Sequence, residues 1–148
     1  MKWNEIITTE DIKKLQMLFG GFHDSCLKEL YLWTGSYVDD DLSMAMSSGT
    51  NVRILFQRQF ENTSAIELMF EGVKQFHLSP SPEDYDSVIY GASLLIEDGL
   101  IYWADDSSWS PKKNIDYDVS WISSKGLRWR DVSSWIGEKM RYGIISEE

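Results

Sequence analysis

His23, Asp24 and Ser25 are the three residue types of a hydrolytic relay, and they stand next to one another. A relay needs hydroxyl, imidazole and carboxylate in line, whereas neighbours on an extended chain point to alternating faces. No Gly-x-Ser-x-Gly nucleophile elbow is present either. The structural reading is that Asp24 or Ser25 caps a turn after Gly20-Gly21 and His23 packs at a sheet edge. His23 and His77 lack a second ligand at metal-site spacing, and Cys26 stands alone. Asp39-Asp40-Asp41 lacks the alternating acids, the glycine and the closing glutamate of a calcium loop, and reads as a solvated acidic turn. No metal and no cofactor is expected.

Asp105, Asp106, Asp116 and Asp118 are interleaved with Trp103, Trp109, Tyr117 and Trp121. Paired carboxylates beside aromatic rings are the equipment of glycoside hydrolysis. The same residues at strand ends keep edges soluble and unpaired. Between these lies a surface that captures a basic protein, with aromatic anchors and carboxylates for steering. Lys125, Arg128 and Arg130 around Trp129 form the basic cluster; they read as solvent-facing residues alternating with inward Leu127 and Trp129.

These groups are carried by an acidic, aromatic-rich chain of 148 residues, with a formal charge of −10, seven Trp and seven Tyr. That length fits one domain, and the aromatic content argues against disorder. The charge opposes binding to nucleic acid or anionic membrane and favours basic partners. One cysteine excludes an intrachain disulfide. No apolar run reaches membrane-spanning length and Met1–Glu5 opens no secretory segment, so the expected location is the cytoplasm.

The stretch Ser87–Asp106 organises the rest. Val88–Ile96 and Leu100–Asp106 flank Asp98-Gly99, a pair suited to a type I′ turn because both central residues need positive φ. Counting outward pairs Glu97 with Leu100, Ile96 with Ile101, Leu95 with Tyr102 and Leu94 with Trp103. Both faces are apolar near the turn, which predicts a hairpin in the middle of a sheet. Upstream, Thr8-Thr9-Glu10-Asp11 starts a helix over Glu10–Phe19, stopped by Gly20-Gly21. Strands are predicted over His23–Trp33, where broken alternation implies a doubly buried strand or a bulge, and over Leu42–Met46 and Val52–Phe60. Ile66–Phe70, with Glu67, Met69 and Glu71 outward, and Val73–Leu78 follow, separated by Gly72. Asp116–Ser123 and Leu127–Val132 read as two last strands joined at Ser124-Lys125-Gly126. Ser133–Tyr142 reads as a terminal helix capped by Ser133 and weakened by Gly137.

Phe22-His23-Asp24-Ser25 and Trp121-Ile122-Ser123-Ser124-Lys125-Gly126-Leu127-Arg128-Trp129-Arg130 resemble segments of small uncharacterised proteins of Gram-positive bacteria. Some of these accompany secreted polymorphic toxins as suspected immunity proteins. The resemblance implies a cytoplasmic β-rich domain and toxin neutralisation, and it carries no catalytic residue over to this chain.

The expectation is therefore a single α+β domain over residues 1–148, with an N-terminal helix on a mostly antiparallel, strongly curved sheet or partly open barrel. Its function is read as non-enzymatic binding of a basic protein through Asp39, Asp40, Asp41, Asp105 and Asp106. The alternative is a small-molecule binder or hydrolase with a pocket lined by Trp and Tyr near His23 and Asp24. Homodimerisation through an exposed strand edge is a third course.

Overall fold

The computed structural model describes residues 1–143. It is an α+β fold built from strands β1 (Asn4–Ile6), β2 (Ser25–Thr34), β3 (Tyr37–Val38), β4 (Met44–Ala45), β5 (Thr50–Arg58), β6 (Ala65–His77), β7 (Ser93–Glu97), β8 (Leu100–Ala104) and β9 (Trp121–Asp131), with one helix, α1 (Thr9–Leu18). Seven strands make one antiparallel sheet in the order β2-β5-β6-β9-β8-β7, with β1 also paired to β9; β3 and β4 form a separate two-stranded hairpin. β9 is the spine. One edge pairs with β6, and the other is shared by β8 over Trp121–Ser124 and β1 over Leu127–Trp129.

Alternation sorts the side chains. Val52, Ile54 and Phe56 of β5 and Ile66, Leu68 and Phe70 of β6 are wholly buried on one face, joined by Ile101, Trp103 and Ile122. Helix α1 closes this core with Ile12 and Leu15, and Phe19 and Phe22 follow it inward. Phe22 stands edge-on to Phe19, Phe56 and Trp103 at centroid distances of 5.1, 5.1 and 5.8 Å. The helix begins at a capping box: Thr8 Oγ1 accepts from the Asp11 N–H at 3.2 Å, and Asp11 Oδ2 accepts from the Thr8 N–H at 2.8 Å. It ends where Gly20 and Gly21 take φ of 57° and 62°.

The Asp98-Gly99 hairpin has the predicted register at every pair, and its turn residues have φ of 51° and 76°. Its position differs from the expectation: β7 ends the strand order rather than lying mid-sheet. The apolar character of its second face is used by a satellite cluster, in which Ala104 is buried with Trp109 and Val119. The outer side of the segment leading into β7 is held by Ala92, whose N–H donates to Gly21 O, and by Ile89, whose N–H donates to Ser25 O at 2.7 Å.

The broken alternation of β2 is a bulge: the register with β5 shifts between Leu27 and Glu29. Gly72 does not end a strand. β6 runs through it at φ 64°, with a register shift between Val73 and Gln75. Nor is Ser124-Lys125-Gly126 a turn; β9 continues through it because Ser124 is ladder-paired to Val73 and Ile101, and Gly126 to Glu71. The predicted terminal helix is reduced to a single 3-10 turn at Ser133–Trp135. Ser133 caps nothing there, since its Oγ accepts from the Ser64 N–H at 3.0 Å and donates to Asp131 at 2.6 Å. No helix among the described residues is long and apolar enough to cross a membrane.

Candidate functional site

The hairpin β3–β4 projects from the sheet where β2 ends and β5 begins. Its neck is clamped by the Gly35 N–H donating to Gly49 O at 3.2 Å, and by Ser36 Oγ, which donates to Ser47 O and accepts from the Ser47 N–H, both at 3.2 Å. The tip is an Asx-type turn. Asp39 Oδ1 accepts from the N–H groups of Asp41 and Ser43 at 3.2 and 3.1 Å, and Asp41 Oδ1 accepts from the Ser43 N–H at 3.0 Å. The Asp39 carboxyl and the Ser43 donors hold the Asp41 carboxyl below the usual carboxylate range. Asp39, Asp40 and Asp41 are all exposed.

Around these carboxylates the hairpin leaves five apolar side chains largely in water. Tyr37 is 63% exposed, Val38 52%, Leu42 84%, Met44 63% and Met46 80%. The adjoining end of β2 adds exposed Tyr31 and Leu32, with Tyr31 stacked on Trp33 at 5.1 Å. β2 is also an end strand of the sheet, paired with β5 on one side and, among the described residues, backbone-bridged on the other at Ser25 alone. These exposed apolar side chains lie beside the three carboxylates of the same hairpin.

The five predicted partner-binding acids do not form one surface. Asp105 lies beyond β8, half-buried, with Oδ1 accepting from the Ser120 N–H at 2.9 Å; burial pushes its carboxyl above the ordinary range. Asp106 accepts from the Ser108 N–H at 2.8 Å and from the Tyr117 hydroxyl at 2.7 Å, so it shapes its own loop. Asp105 shares a cleft with Leu27 near the start of β2, whereas the hairpin lies beyond Thr34. At about 3.3 Å per residue, the strand between Leu27 and Thr34 separates the groups by about 20 Å. Asp118 lines a different depression, with His77, Trp109 and Trp121, so Asp105 and Asp118 do not share a cleft.

His23 and Asp24 do meet, with Nδ1 and Oδ2 3.2 Å apart, because Asp24 takes φ of 57° and turns the chain. Both are exposed, and Ser25 is not their partner: its Oγ is buried and donates to Phe22 O at 2.6 Å. Met17, Leu18, Arg58 and Phe60 line the open depression beside them, with no Trp or Tyr in the wall. Phe60 is the one aromatic residue of that wall. His77 belongs to a separate depression, and no group of three or more His, Cys, Asp or Glu among the described residues is arranged to hold a metal ion.

Sequence reasoning missed a second assembly altogether. Glu67 is completely buried and accepts from Arg53 Nε and Nη2 at 2.9 and 2.6 Å and from Arg130 Nε at 2.7 Å. Arg130 lies over the rings of Trp3 and Trp135 at 4.4 and 5.3 Å, and Arg53 over Tyr142 at 4.7 Å. Glu29, also buried, accepts from the N–H groups of Arg141 and Tyr142. Burial and the neighbouring Glu67 push the Tyr142 phenol far above its ordinary value. Arg130 is thus not the solvent-facing residue expected, nor Glu67 an outward one. The available signal was that Arg53, Glu67 and Arg130 interrupt apolar strands on the same face. With its carboxylate saturated by guanidinium groups and its outer side covered by the segment after β9, the assembly holds structure together and offers no reacting atom.

Comparison of the chain with family models, with curated proteins and with solved structures gives no match in any of the three.

Proposed function

We propose that this chain is a non-enzymatic binding protein that docks a basic protein partner on the β3–β4 hairpin and the adjoining end of β2. The observation that carries the reading is the hairpin itself, where Leu42, Met46, Tyr37 and Met44 stay mostly in water beside three consecutive exposed aspartates. Apolar side chains of that size supply anchoring when a partner desolvates them, and the carboxylates supply steering and reject acidic competitors. A charge of −10 over the whole chain acts in the same sense.

The narrower form of the proposal is a cytoplasmic immunity protein that neutralises a toxin, supported by the resemblance of Phe22–Ser25 and Trp121–Arg130 to such proteins. The sheet is read in its finer form as strongly curved, a partly open barrel; the Ile89–Ser25 bond, from the segment leading into β7 to the start of β2, supports this. The test is capture from native cytoplasm at low and high salt, comparing the wild type with a Leu42→Ser/Met44→Ser variant and with Asp39, Asp40 and Asp41 all changed to Asn. A basic protein retained by the wild type, lost with salt and lost from both variants is the expected result. Retention of the same protein by both variants overturns the proposal. Sedimentation separates the homodimer: a concentration-dependent dimer abolished by the Leu42→Ser/Met44→Ser change would make the partner a second copy of this chain.

A further inference from the structure

The cleft that holds Asp105 is independent of the hairpin. It has a volume of about 280 Å³, near the lower end of the range for ligand sites. Its walls are apolar: Leu27 of β2, Leu78 and Pro80 of the segment after β6, Ile89, and Trp103 of β8. Ser79, Ser81, Ser87 and Ser120 complete the lining, and Ser120 is tied to the Ser79 backbone. Ser120 Oγ accepts from the Ser79 N–H at 2.9 Å and donates to Ser79 O at 3.1 Å, and the Asp105 N–H donates to Ser120 O at 3.0 Å. Asp105 Oδ1 takes the Ser120 N–H, while Oδ2 receives no hydrogen bond from the described residues. No Lys or Arg among them lies within ion-pair distance of Asp105, and Asp106 next to it adds repulsion. Trp103 is 2% exposed and its Nε1 is without a partner.

A half-buried carboxylate in apolar walls, with no cation beside it, costs folding free energy unless something neutralises it. We propose that this cleft binds a small organic ammonium ion, its charged nitrogen on Asp105 Oδ2 and its apolar body against Trp103, Leu27, Leu78 and Ile89. An anion is repelled by Asp105 and Asp106, and a neutral molecule of the same shape leaves the carboxylate uncompensated. Because this site stands apart from the hairpin, it does not depend on the protein-docking proposal.

Three probes of one shape and different charge test it: 2-phenylethylammonium, 2-phenylethanol and phenylacetate, titrated at millimolar concentration and followed by calorimetry and by the indole N–H resonance of Trp103. The ammonium is expected to bind and to shift that resonance, the alcohol to bind at least about tenfold more weakly, the value of one charge-assisted contact, and phenylacetate not to bind. Asp105→Asn should abolish the preference for the ammonium, and an Ile89→Trp change, which fills the cleft, should abolish binding of all probes. Equal binding of the three probes by the wild type overturns the proposal, as does absence of ammonium binding or unchanged ammonium binding by Asp105→Asn. The wild-type comparison stands whether or not either variant folds.

Discussion

Glu67 and the Asp39–Asp41 turn are both carboxylates on a sheet-rich scaffold, and they meet water in opposite ways. Glu67 has given up its hydration completely and receives three hydrogen bonds from two guanidinium groups in exchange. Asp39 and Asp41 keep theirs and spend their oxygens on a local turn, with apolar side chains left exposed around them. The first arrangement ties together three neighbouring strands, β5, β6 and β9, with the segment after β9 packed over it. The second leaves both its carboxylates and its apolar side chains exposed. That is why the docking proposal rests on the hairpin and not on the larger charged cluster.

The sharpest way to break the comparison is Glu67→Ala. Removing the shared carboxylate leaves Arg53 and Arg130 facing each other, largely buried and unpaired, and should cost about 3–5 kcal/mol in denaturant unfolding. Replacing Glu67, Arg53 and Arg130 together by apolar residues of similar volume should recover most of that loss. A triple variant as unstable as the single one would mean that the charges are not the source of the effect. Next in size is Thr8→Ala, which removes the oxygen that caps α1 and should cost about 1 kcal/mol.

Acid supplies a smaller, signed test. The backbone N–H groups of Ile7 and Thr8, with the Thr8 hydroxyl, hold Asp11 below its ordinary value of 3.8. Burial pushes Asp131 upward, but the Ser133 and Thr63 donors outweigh it and leave that carboxyl lowered too. Folded-state values below the unfolded ones mean that the unfolded chain binds more protons. Their stabilisation is therefore complete above the ordinary carboxylate range and is lost as pH falls through the lowered values. Asp105, raised by burial, runs the other way: its contribution is present at low pH and is lost as pH rises. Asp105→Asn should accordingly leave stability at neutral pH unchanged or higher, while Asp11→Asn and Asp131→Asn lower it there and flatten the loss in acid. Parallel pH profiles for all three variants would contradict the assignment. Smallest of all, Leu42→Ser/Met44→Ser should change stability by no more than about 0.5 kcal/mol, the usual range for exposed positions away from packing.

Local chemistry was legible in the sequence wherever it decided the structure. Asp98-Gly99 dictated the turn and with it the whole β7–β8 register, and Thr8 with Asp11 marked the helix start. Reading failed where partners far along the chain decide. Gly72 and Ser124-Lys125-Gly126 look like breaks, but β6 and β9 pair with each other on both sides of them and carry the ladder through. Glu67 looked outward because alternation puts it opposite Leu68, and nothing local announces that Arg53, Arg130 and Tyr142 will close over it. The same limit grouped Asp105 and Asp106 with Asp39–Asp41: their shared charge was visible, and the length of β2 between them was not. That Asp39, Asp40 and Asp41 are solvated was legible because a run of three aspartates needs no distant partner to stay in water.

The most direct measurement is site-specific photocrosslinking in intact cells, with the photoreactive residue placed at Leu42 of the hairpin or at Ile96 beside the Asp98-Gly99 turn. The account predicts a discrete adduct with a basic protein from position 42, abolished when Asp39, Asp40 and Asp41 are changed to Asn, and none from position 96. The same adduct from both positions, or an adduct from 96 alone, would contradict it.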